Sequence, residues 1–230
     1  MKTNLVTYLT HRYYKDEQRK TEPGPVITIS REYGCPAKSV AQKLSEAINI
    51  KLGARGIKNE WRWVSKEILT EAARELQVNP EEIQYVFDYE QKGILDDILK
   101  AQGQRYYKND RKIRNTIGNV IRSFGINGNV IIVGRAGVVL TKDIPRSLHV
   151  NLEAPLDWRT VRTSEKLCLD MDKARKYALD MDKKREQFRD YYVGKGTDYT
   201  RFDISLNCMM FTVDEIVDIL LSIAEIRKLV

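Results

Sequence analysis

The chain has 230 residues, of which 42% are hydrophobic and 31% are charged, a composition typical of a folded globular protein and not of a disordered one. No stretch is apolar and long enough to suggest a membrane span, and the start of the chain lacks the apolar core of a secretion signal. The 39 Lys and Arg residues exceed the 32 Asp and Glu residues, and the net charge of +7 favours an anionic partner such as a nucleotide, a nucleic acid or an acidic protein. The alternative is that the basic residues only cover solvated helix faces.

The cysteines and histidines give no sign of a structural disulfide or metal. Three cysteines are widely spaced, and with the two histidines they match neither a disulfide framework nor a familiar zinc site; they are Cys35, Cys168 and Cys208. We therefore expect a cytoplasmic protein.

The sequence divides the chain into a short N-terminal arm and a main domain. Residues 1–24 are predicted to form an accessory arm that ends in a Pro- and Gly-containing segment, and residues 25–230 to form the main domain. The β-branched run Val26–Ser30 predicts the first strand. A turn-rich segment follows it and leads into a helix predicted over Val40–Ile50.

This strand, loop and helix resemble the geometry that directs backbone amides and a helix N-terminus at phosphate. Lys38 and Ser39 stand at the mouth of the helix, where a phosphate-binding loop has its lysine and hydroxyl. Glu32 and Ala37 stand where such a loop has glycines, and Pro36 removes one amide donor. Two interpretations stay open, a phosphate-binding loop and an ordinary strand-to-helix turn.

The middle of the chain reads as a short strand followed by helices. Trp61–Val64 predicts the strand, and Ser65 is expected to cap a helix over Lys66–Leu76. A longer amphipathic helix is predicted to open at Asp110 and to end at Gly125.

Three short apolar runs predict the remaining strands, namely Val130–Val133, Leu148–Leu152 and Ile204–Leu206. A capping box at Thr212–Glu215 begins the last helix. Five strands that alternate with helices imply an α/β fold with a mostly parallel sheet. Because ligands bind beyond the carboxyl ends of strands in such sheets, the segments that follow the strands are expected to form the site.

Two of the later helices are rich in arginine. Arg159 and Arg162 are three residues apart and share a helix face, which is also what a solvated surface would show. In the helix predicted over Asp170–Tyr192, Arg185 interrupts an apolar stripe, so either an acid pairs with it in the core or this stretch faces a phosphate-filled cleft. The surrounding lysines and arginine favour the cleft. The loop Gly194–Asp198 is expected to belong to a moving lid.

Taken in order, these segments resemble the cytidylate kinase-like family of P-loop phosphotransferases, from about Pro25 to the C-terminus. The segments that carry the resemblance are VITISREYG, SKEIL at 65–69, IIVGR at 131–135, EAPLDWRTVR at 153–162, DKKREQFRDYYVGK at 182–195 and FDISLNC. The resemblance implies a three-layer P-loop kinase sandwich with a five-stranded parallel sheet, a helical monophosphate-binding insert at about 66–128 and a lid at about 163–203. It also implies transfer of the ATP γ-phosphate to CMP, dCMP or a related monophosphate, with Mg²⁺.

The resemblance also implies roles for single residues. Donor phosphates would be bound by Gly34, Lys38 and Ser39, with Ser39 also touching the metal. The acceptor phosphate would be held by Arg135. Charge on the transferred group would be neutralised by Arg159, Arg162, Arg185 and Arg189, the first two also contacting ATP. The base would be read, or the lid oriented, by Asp182 and Asp203.

Some positions differ from the family pattern, and they leave other functions open. Pro36 and Ala37 stand where the family often has paired glycines, Ser65 replaces an aspartate, and Ala136 replaces the aspartate of true cytidylate kinases. A nucleotide-binding protein with little or no catalysis is the second hypothesis, and a nucleic-acid-binding protein, suggested only by charge, ranks last. The expected partners are small-molecule nucleotides, with no membrane; a homo-oligomer is left open.

Overall fold

A computed structural model describes residues 23–84, 105–196, 198 and 201–230. Five strands form one sheet: β1 Val26–Arg31, β2 Arg62–Val64, β3 Val130–Val133, β4 Ser147–Glu153 and β5 Ile204–Asn207. All the pairings are parallel, and the strand order is β2-β3-β1-β4-β5. The prediction of a five-stranded parallel α/β sheet is confirmed.

Helices cover both faces of this sheet. They are α1 Ala37–Ala54, α2 Glu67–Leu76, α3 Pro80–Gln84, α4 Arg105–Asn127, α5 Gly137–Leu140, α6 Leu156–Leu167, α7 Met171–Val193 and α8 Val213–Ile226. One buried cluster joins α1 and α8 to the alternate residues of β1 and β4 such as Ile29 and Val150. A second cluster packs α2 and α4 against Val26 and Ile132 on the other face. Burial on both faces explains why the strands are almost continuously apolar.

Several boundaries differ from the sequence predictions. α1 begins at Ala37, so Lys38 and Ser39 lie in its first turn. Ser65 does not cap α2; its backbone amide instead donates to the Glu67 carboxylate at 2.7 Å. The capping box between Thr212 and Glu215 is present as predicted.

Gly125 does not end the fourth helix, which runs from Arg105 to Asn127. The reason for the glycine is close packing: a Cβ at Gly125 would lie 2.8 Å from Ile144 Cδ1 and 2.8 Å from Thr141 Cγ2. A pattern rule for helix ends cannot distinguish this use of glycine from termination.

The predicted N-terminal arm, residues 1–24, lies outside the described part of the chain except for residues 23–24, and it stays a prediction. The helical insert and the lid stay predictions, although α2, α3 and α4 lie in the predicted insert and α7 in the predicted lid. None of the helices described is long and apolar enough to cross a membrane.

Candidate active site

Two adjoining cavities open at the carboxyl edge of the sheet. The first, here the loop cavity, has a volume of about 580 Å³ and is lined by residues 33–39 with Arg162, Thr163, Glu165 and Lys166. The second, here the sheet-edge cavity, has a volume of about 450 Å³ and is lined by residues from the ends of β1 and β3 and from α2, α3 and α7. Arg31 and Arg185 line both cavities. The two spaces therefore share a wall that carries two guanidinium groups.

The loop cavity is built on the start of α1. The chain turns after β1 through Glu32 and Cys35, whose amide donates to the Glu32 carbonyl at 3.3 Å. Helix α1 then begins at once, without a capping side chain. The amides of Lys38 and Ser39 meet no backbone carbonyl in the described part of the chain, as expected in a first helical turn. Such amides, with the helix dipole, favour an anion.

Lys38 and Ser39 are both exposed to this cavity. The pKa of Lys38 is lowered by partial burial, and further by the positive charges of Lys66 and Lys166. An anion bound between these groups would relieve that repulsion. Arg162 also lines the loop cavity, and its guanidinium stacks 4.6 Å above the Trp158 ring.

Gly34 has a packing role as well as a place in the loop cavity. Its φ is +98°, and a Cβ there would come within 3.1 Å of Arg159 Cβ and 3.2 Å of the Arg159 carbonyl oxygen. Its own carbonyl accepts a hydrogen bond from Arg162 Nε at 3.2 Å. Glycine is therefore needed for helix α6 to approach the loop this closely.

The sheet-edge cavity is built on an unusual turn after β3. Gly134, Arg135 and Ala136 all have positive φ, at +71°, +56° and +56°. A non-glycine residue in this conformation costs energy, and such strain is concentrated at functional sites. The turn directs Arg135 to the cavity, together with Arg189 from α7. Glu81 is the one acid among the described lining residues, so the cavity is strongly basic.

Arg31 belongs to the site but carries no role in the sequence analysis. Its guanidinium lies over Gly134, where any Cβ would overlap it. Burial, and next the charges of Arg185 and Arg135, together lower the pKa of Arg31 to about 9, against the opposite effect of Asp182. The signal was present in the sequence, since Arg31 directly follows the predicted strand Val26–Ser30, and the carboxyl end of a strand lies at the ligand edge of a parallel sheet.

Arg185 satisfies both alternatives that its place in the apolar stripe left open. It lines both cavities, and it also donates to Asp182 at 3.2 Å and to the Arg31 carbonyl at 3.0 Å. Its guanidinium lies 5.4 Å from the centre of the Tyr33 ring. Burial lowers the pKa of Arg185 while Asp182 raises it.

Asp182 connects helix α7 to the loop and lies outside the lining of both cavities. Its carboxylate accepts from the Tyr33 amide at 2.6 Å, from Arg159 at 2.6 Å and from Arg185 at 3.2 Å. These contacts join α7 to the loop and to α6, and both roles expected for Asp182 stay predictions.

The structure places Arg159 differently from the prediction. Its side chain is 5% exposed, contacts both Asp182 and Glu32, and donates to the Ala154 carbonyl at 2.9 Å. It lines neither cavity. Its Nε and Nη1 atoms are bonded within the protein, so Arg159 holds α6 against the loop, away from the cavity in which ATP was expected.

Asp203 is also misplaced by the sequence prediction, because it lies at the opposite edge of the sheet. It precedes β5, accepts from the His149 amide at 2.7 Å near the start of β4, and pairs with Arg227 at 3.0 Å. Ligands of parallel sheets bind at the carboxyl edge, so Asp203 has a structural role at the amino edge.

The comparisons with known proteins agree with this architecture. Residues 26–209 match the model of the cytidylate kinase-like family. The chain belongs to the cytidylate kinase-like family. A crystal structure of an uncharacterized protein from Eubacterium ventriosum shares the fold, with a TM-score of 0.59, 23% sequence identity, and coverage of 87% of this chain and 97% of that one. A comparison with curated proteins found no match.

Proposed function

We propose that this member of the cytidylate kinase-like family is an ATP-dependent phosphotransferase that acts on a nucleoside monophosphate, with CMP or dCMP as acceptor. The observation that carries the proposal is that Arg31 and Arg185 line both cavities. Two phosphorylated ligands, one in each cavity, would direct their phosphates at the same two guanidinium groups. Such juxtaposition is the main contribution that phosphoryl transfer requires of a protein.

The donor would occupy the loop cavity. Lys38 and the amides of the first turn of α1 would contact its phosphates, and Arg162 would approach from α6. The family's use of ATP supports this assignment. Pro36 has no amide N–H, and the Ala37 amide donates to the Cys35 carbonyl at 3.0 Å, so side-chain cations would carry more of the phosphate binding.

The acceptor would occupy the sheet-edge cavity, with Arg135 holding its phosphate. A guanidinium is a planar fork that can bind two phosphate oxygens at once, and it stays charged at every physiological pH. Arg189 lines the same cavity and would add positive charge beside the reacting groups.

Arg31 and Arg185 would stabilise the charge that develops on the transferred phosphoryl group. The pKa of both is lowered chiefly by burial, and for Arg31 next by the charge of Arg185. Both guanidinium groups are packed in the shared wall, so their charges would be in place before the ligands bind. Fixed charges that need no rearrangement are the most effective form of electrostatic catalysis.

Magnesium fits the oxygen donors of the loop cavity. The Ser39 hydroxyl and the Glu165 carboxylate line it, and Mg²⁺ prefers one or two such oxygens together with water and substrate phosphates. In the described residues no group of three or more His, Cys, Asp or Glu could hold an ion unaided. When bound, Mg²⁺ would supply neutralisation of the β- and γ-phosphate oxygens of ATP.

A coupled assay for ADP release tests the proposal, with CMP, dCMP, UMP, AMP and GMP offered separately. We expect ADP release to depend on a monophosphate and to be highest with CMP or dCMP. Titration calorimetry with a non-hydrolysable ATP analogue and with CMP is run on the same protein. If none of these monophosphates supports ADP release, the proposal that the protein is a nucleoside monophosphate kinase is refuted.

A nucleotide-binding protein without efficient catalysis is the second candidate. It is favoured by the Tyr33 amide, which is occupied by the Asp182 carboxylate and so is not offered to a phosphate. Calorimetry separates the two candidates, because binding of both nucleotides without ADP release would identify a binding protein.

A further inference from the structure

A lysine that follows β2 belongs to the wall of the sheet-edge cavity and carries no role in the function proposed above. Lys66 lines this cavity, and its side chain is exposed to solvent. Among the residues that the structure describes, no acid forms an ion pair with it. Its charge is therefore available to an anionic ligand of the cavity.

The order of the strands places Lys66 in line with two arginines of the site. β2 pairs with β3 up to Val64 and Ile132, and Lys66 comes two residues after that pair. β3 lies between β2 and β1, so Lys66, Arg135 and Arg31 stand at the carboxyl ends of three neighbouring parallel strands. This is the edge at which parallel sheets bind their ligands.

The turn from β2 into α2 fixes the backbone of Lys66. The Ser65 amide donates to the Glu67 carboxylate at 2.7 Å. The Lys66 carbonyl accepts from the Leu69 amide at 2.9 Å and from the Thr70 amide at 3.4 Å. The backbone position is thus set by the first turn of α2, and the flexible side chain can turn toward a ligand.

Lys66 also reaches the same level as Lys38, which lines the loop cavity. Asn49 of α1 binds both backbone groups of Trp61, just before β2, with hydrogen bonds of 2.7 and 2.8 Å. From this common point, α1 rises about 16 Å back to Lys38. β2 and its turn span about 16 Å from Trp61 to Lys66. The two lysines therefore meet at one edge, and the pKa of Lys38 is lowered by partial burial and next by the charge of Lys66.

We propose that Lys66 is a further catalytic residue of the phosphotransferase, which contacts the phosphoryl group as it passes from the loop cavity to the sheet-edge cavity. This inference rests on the function proposed above. An oxygen of the acceptor phosphate attacks the γ-phosphorus of ATP and a new P–O bond forms. The bond from that phosphorus to the oxygen bridging the β- and γ-phosphates breaks, and ADP leaves with the electron pair.

A lysine suits this position better than a second rigid cation would. When the acceptor phosphate is a dianion the transfer moves no proton, so Lys66 stays protonated and acts through its charge. Arg31 and Arg185 are held by packing in the shared wall. The ammonium of Lys66 is a compact charge with three donors on a flexible stem, and it can follow a group that changes cavity.

Steady-state kinetics test the role of Lys66. Lys66→Met removes the charge, and kcat should fall at least tenfold while either KM changes less than threefold. Lys66→Arg keeps the charge and should retain more activity than Lys66→Met. Lys58→Met is the matched control, at an exposed lysine of the loop before β2, and should behave as the original protein. A smaller fall in kcat for Lys66→Met, or a lower urea unfolding midpoint that accounts for the fall, would overturn the proposal.

Two measurements without turnover test the position of Lys66 independently. Loss of the neighbouring charge should raise the pKa of Lys38, so acetic anhydride should label Lys38 at least twofold more slowly in Lys66→Met, by mass spectrometry, and equally fast in Lys58→Met. An unchanged rate would refute the contact between the two lysines.

Tripolyphosphate serves as the probe for phosphate contact. By titration calorimetry it should bind at least fivefold more weakly to Lys66→Met than to Lys58→Met, and equal affinities would refute the contact with phosphate. If the original protein releases no ADP with any monophosphate, the proposed function fails. The labelling of Lys38 and the binding of tripolyphosphate then still decide whether Lys66 faces bound phosphate beside Lys38.

Discussion

At the scale of single residues, the key feature of the site is the position of the Arg31 guanidinium beside other positive charges. Its guanidinium occupies the space above Gly134, and it faces Arg185 and Arg135. Like charges held close together cost folding energy, and the pKa of Arg31 of about 9 reflects this cost together with burial. A charge that destabilises the fold and lies between two cavities is the pattern expected of a functional residue.

Replacement of Arg31 should separate activity from stability. Arg31→Met keeps a long apolar side chain and removes the charge, so we expect kcat to fall at least 100-fold while the free energy of unfolding stays equal or rises. Steady-state kinetics and urea unfolding measure the two effects. The matched control is Arg122→Met, at an exposed arginine that pairs with Asp143 away from both cavities. An unfolding energy that falls by several kcal/mol would instead show that Arg31 is structural.

Arg135 allows a sharper test of the acceptor cavity. Arg135→Lys keeps the charge and loses the fork, so the KM for the acceptor should rise at least tenfold while the KM for ATP changes little. A charged hydrogen bond is worth about 1.5–3 kcal/mol, which corresponds to this effect. Each nucleotide is varied separately in the assay. An acceptor KM within twofold of the original would remove Arg135 from the acceptor site.

At the scale of elements, helix α7 is joined to the loop through one carboxylate. Asp182 binds a loop amide, the buried Arg159 of α6 and Arg185 of its own helix. The single carboxylate of Asp182 thus contacts the loop and a cation from each of the two helices. Removal of that charge would strand a buried cation and release a cation of the shared wall.

Asp182→Asn should therefore lower both stability and turnover. Asparagine retains one acceptor oxygen, and Arg159 retains Glu32 at 3.2 Å, so we expect a loss of about 1–3 kcal/mol. The expected fall in kcat exceeds tenfold, with a smaller change in either KM, because Arg185 loses its orientation. Urea unfolding and kinetics are compared with Asp180→Asn on the same helix. Equal behaviour of the two variants would contradict the connecting role of Asp182.

At the scale of the whole molecule, the sheet contains a buried histidine whose protonation is coupled to folding. His149 is 6% exposed, and its Nδ1 lies 2.8 Å from Thr28 Oγ1 on the neighbouring strand. Burial lowers the pKa of His149 below 6.5, with Asp203 opposing and Arg227 adding to the shift. The unfolded chain therefore binds a proton at a higher pH than the folded protein does.

This coupling predicts that the protein loses stability as the pH falls through 6.5, the ordinary histidine value, toward the lower folded pKa. Above 6.5 the contribution is fully present, and one proton accounts for at most about 1.4 kcal/mol per pH unit. Urea unfolding between pH 7.5 and 5.5 measures the slope. His149→Gln cannot titrate and should flatten it, whereas an unchanged slope in that variant would assign the effect to other groups.

The sequence alone determined the sheet and the edge at which the cavities lie. Short β-branched runs separated by amphipathic helices allow few arrangements other than parallel strands, and parallel strands bring their carboxyl ends to one edge. Lys38, Arg135, Arg162 and Arg185 reach the cavities because each follows a strand or projects from a helix at that edge. The local hydrogen bonds of the Thr212–Glu215 capping box were determined in the same way, because they involve neighbours in the chain.

Only the tertiary structure decided which polar side chains face each other. Arg159 was turned inward by Asp182 and Glu32, and Asp203 was placed at the far edge of the sheet. These contacts join residues that are far apart in the sequence, 23 positions for Arg159 and Asp182 and 54 positions for His149 and Asp203. Periodicity specifies the face of an element that a residue occupies, but the residue opposite it depends on how the elements pack against each other.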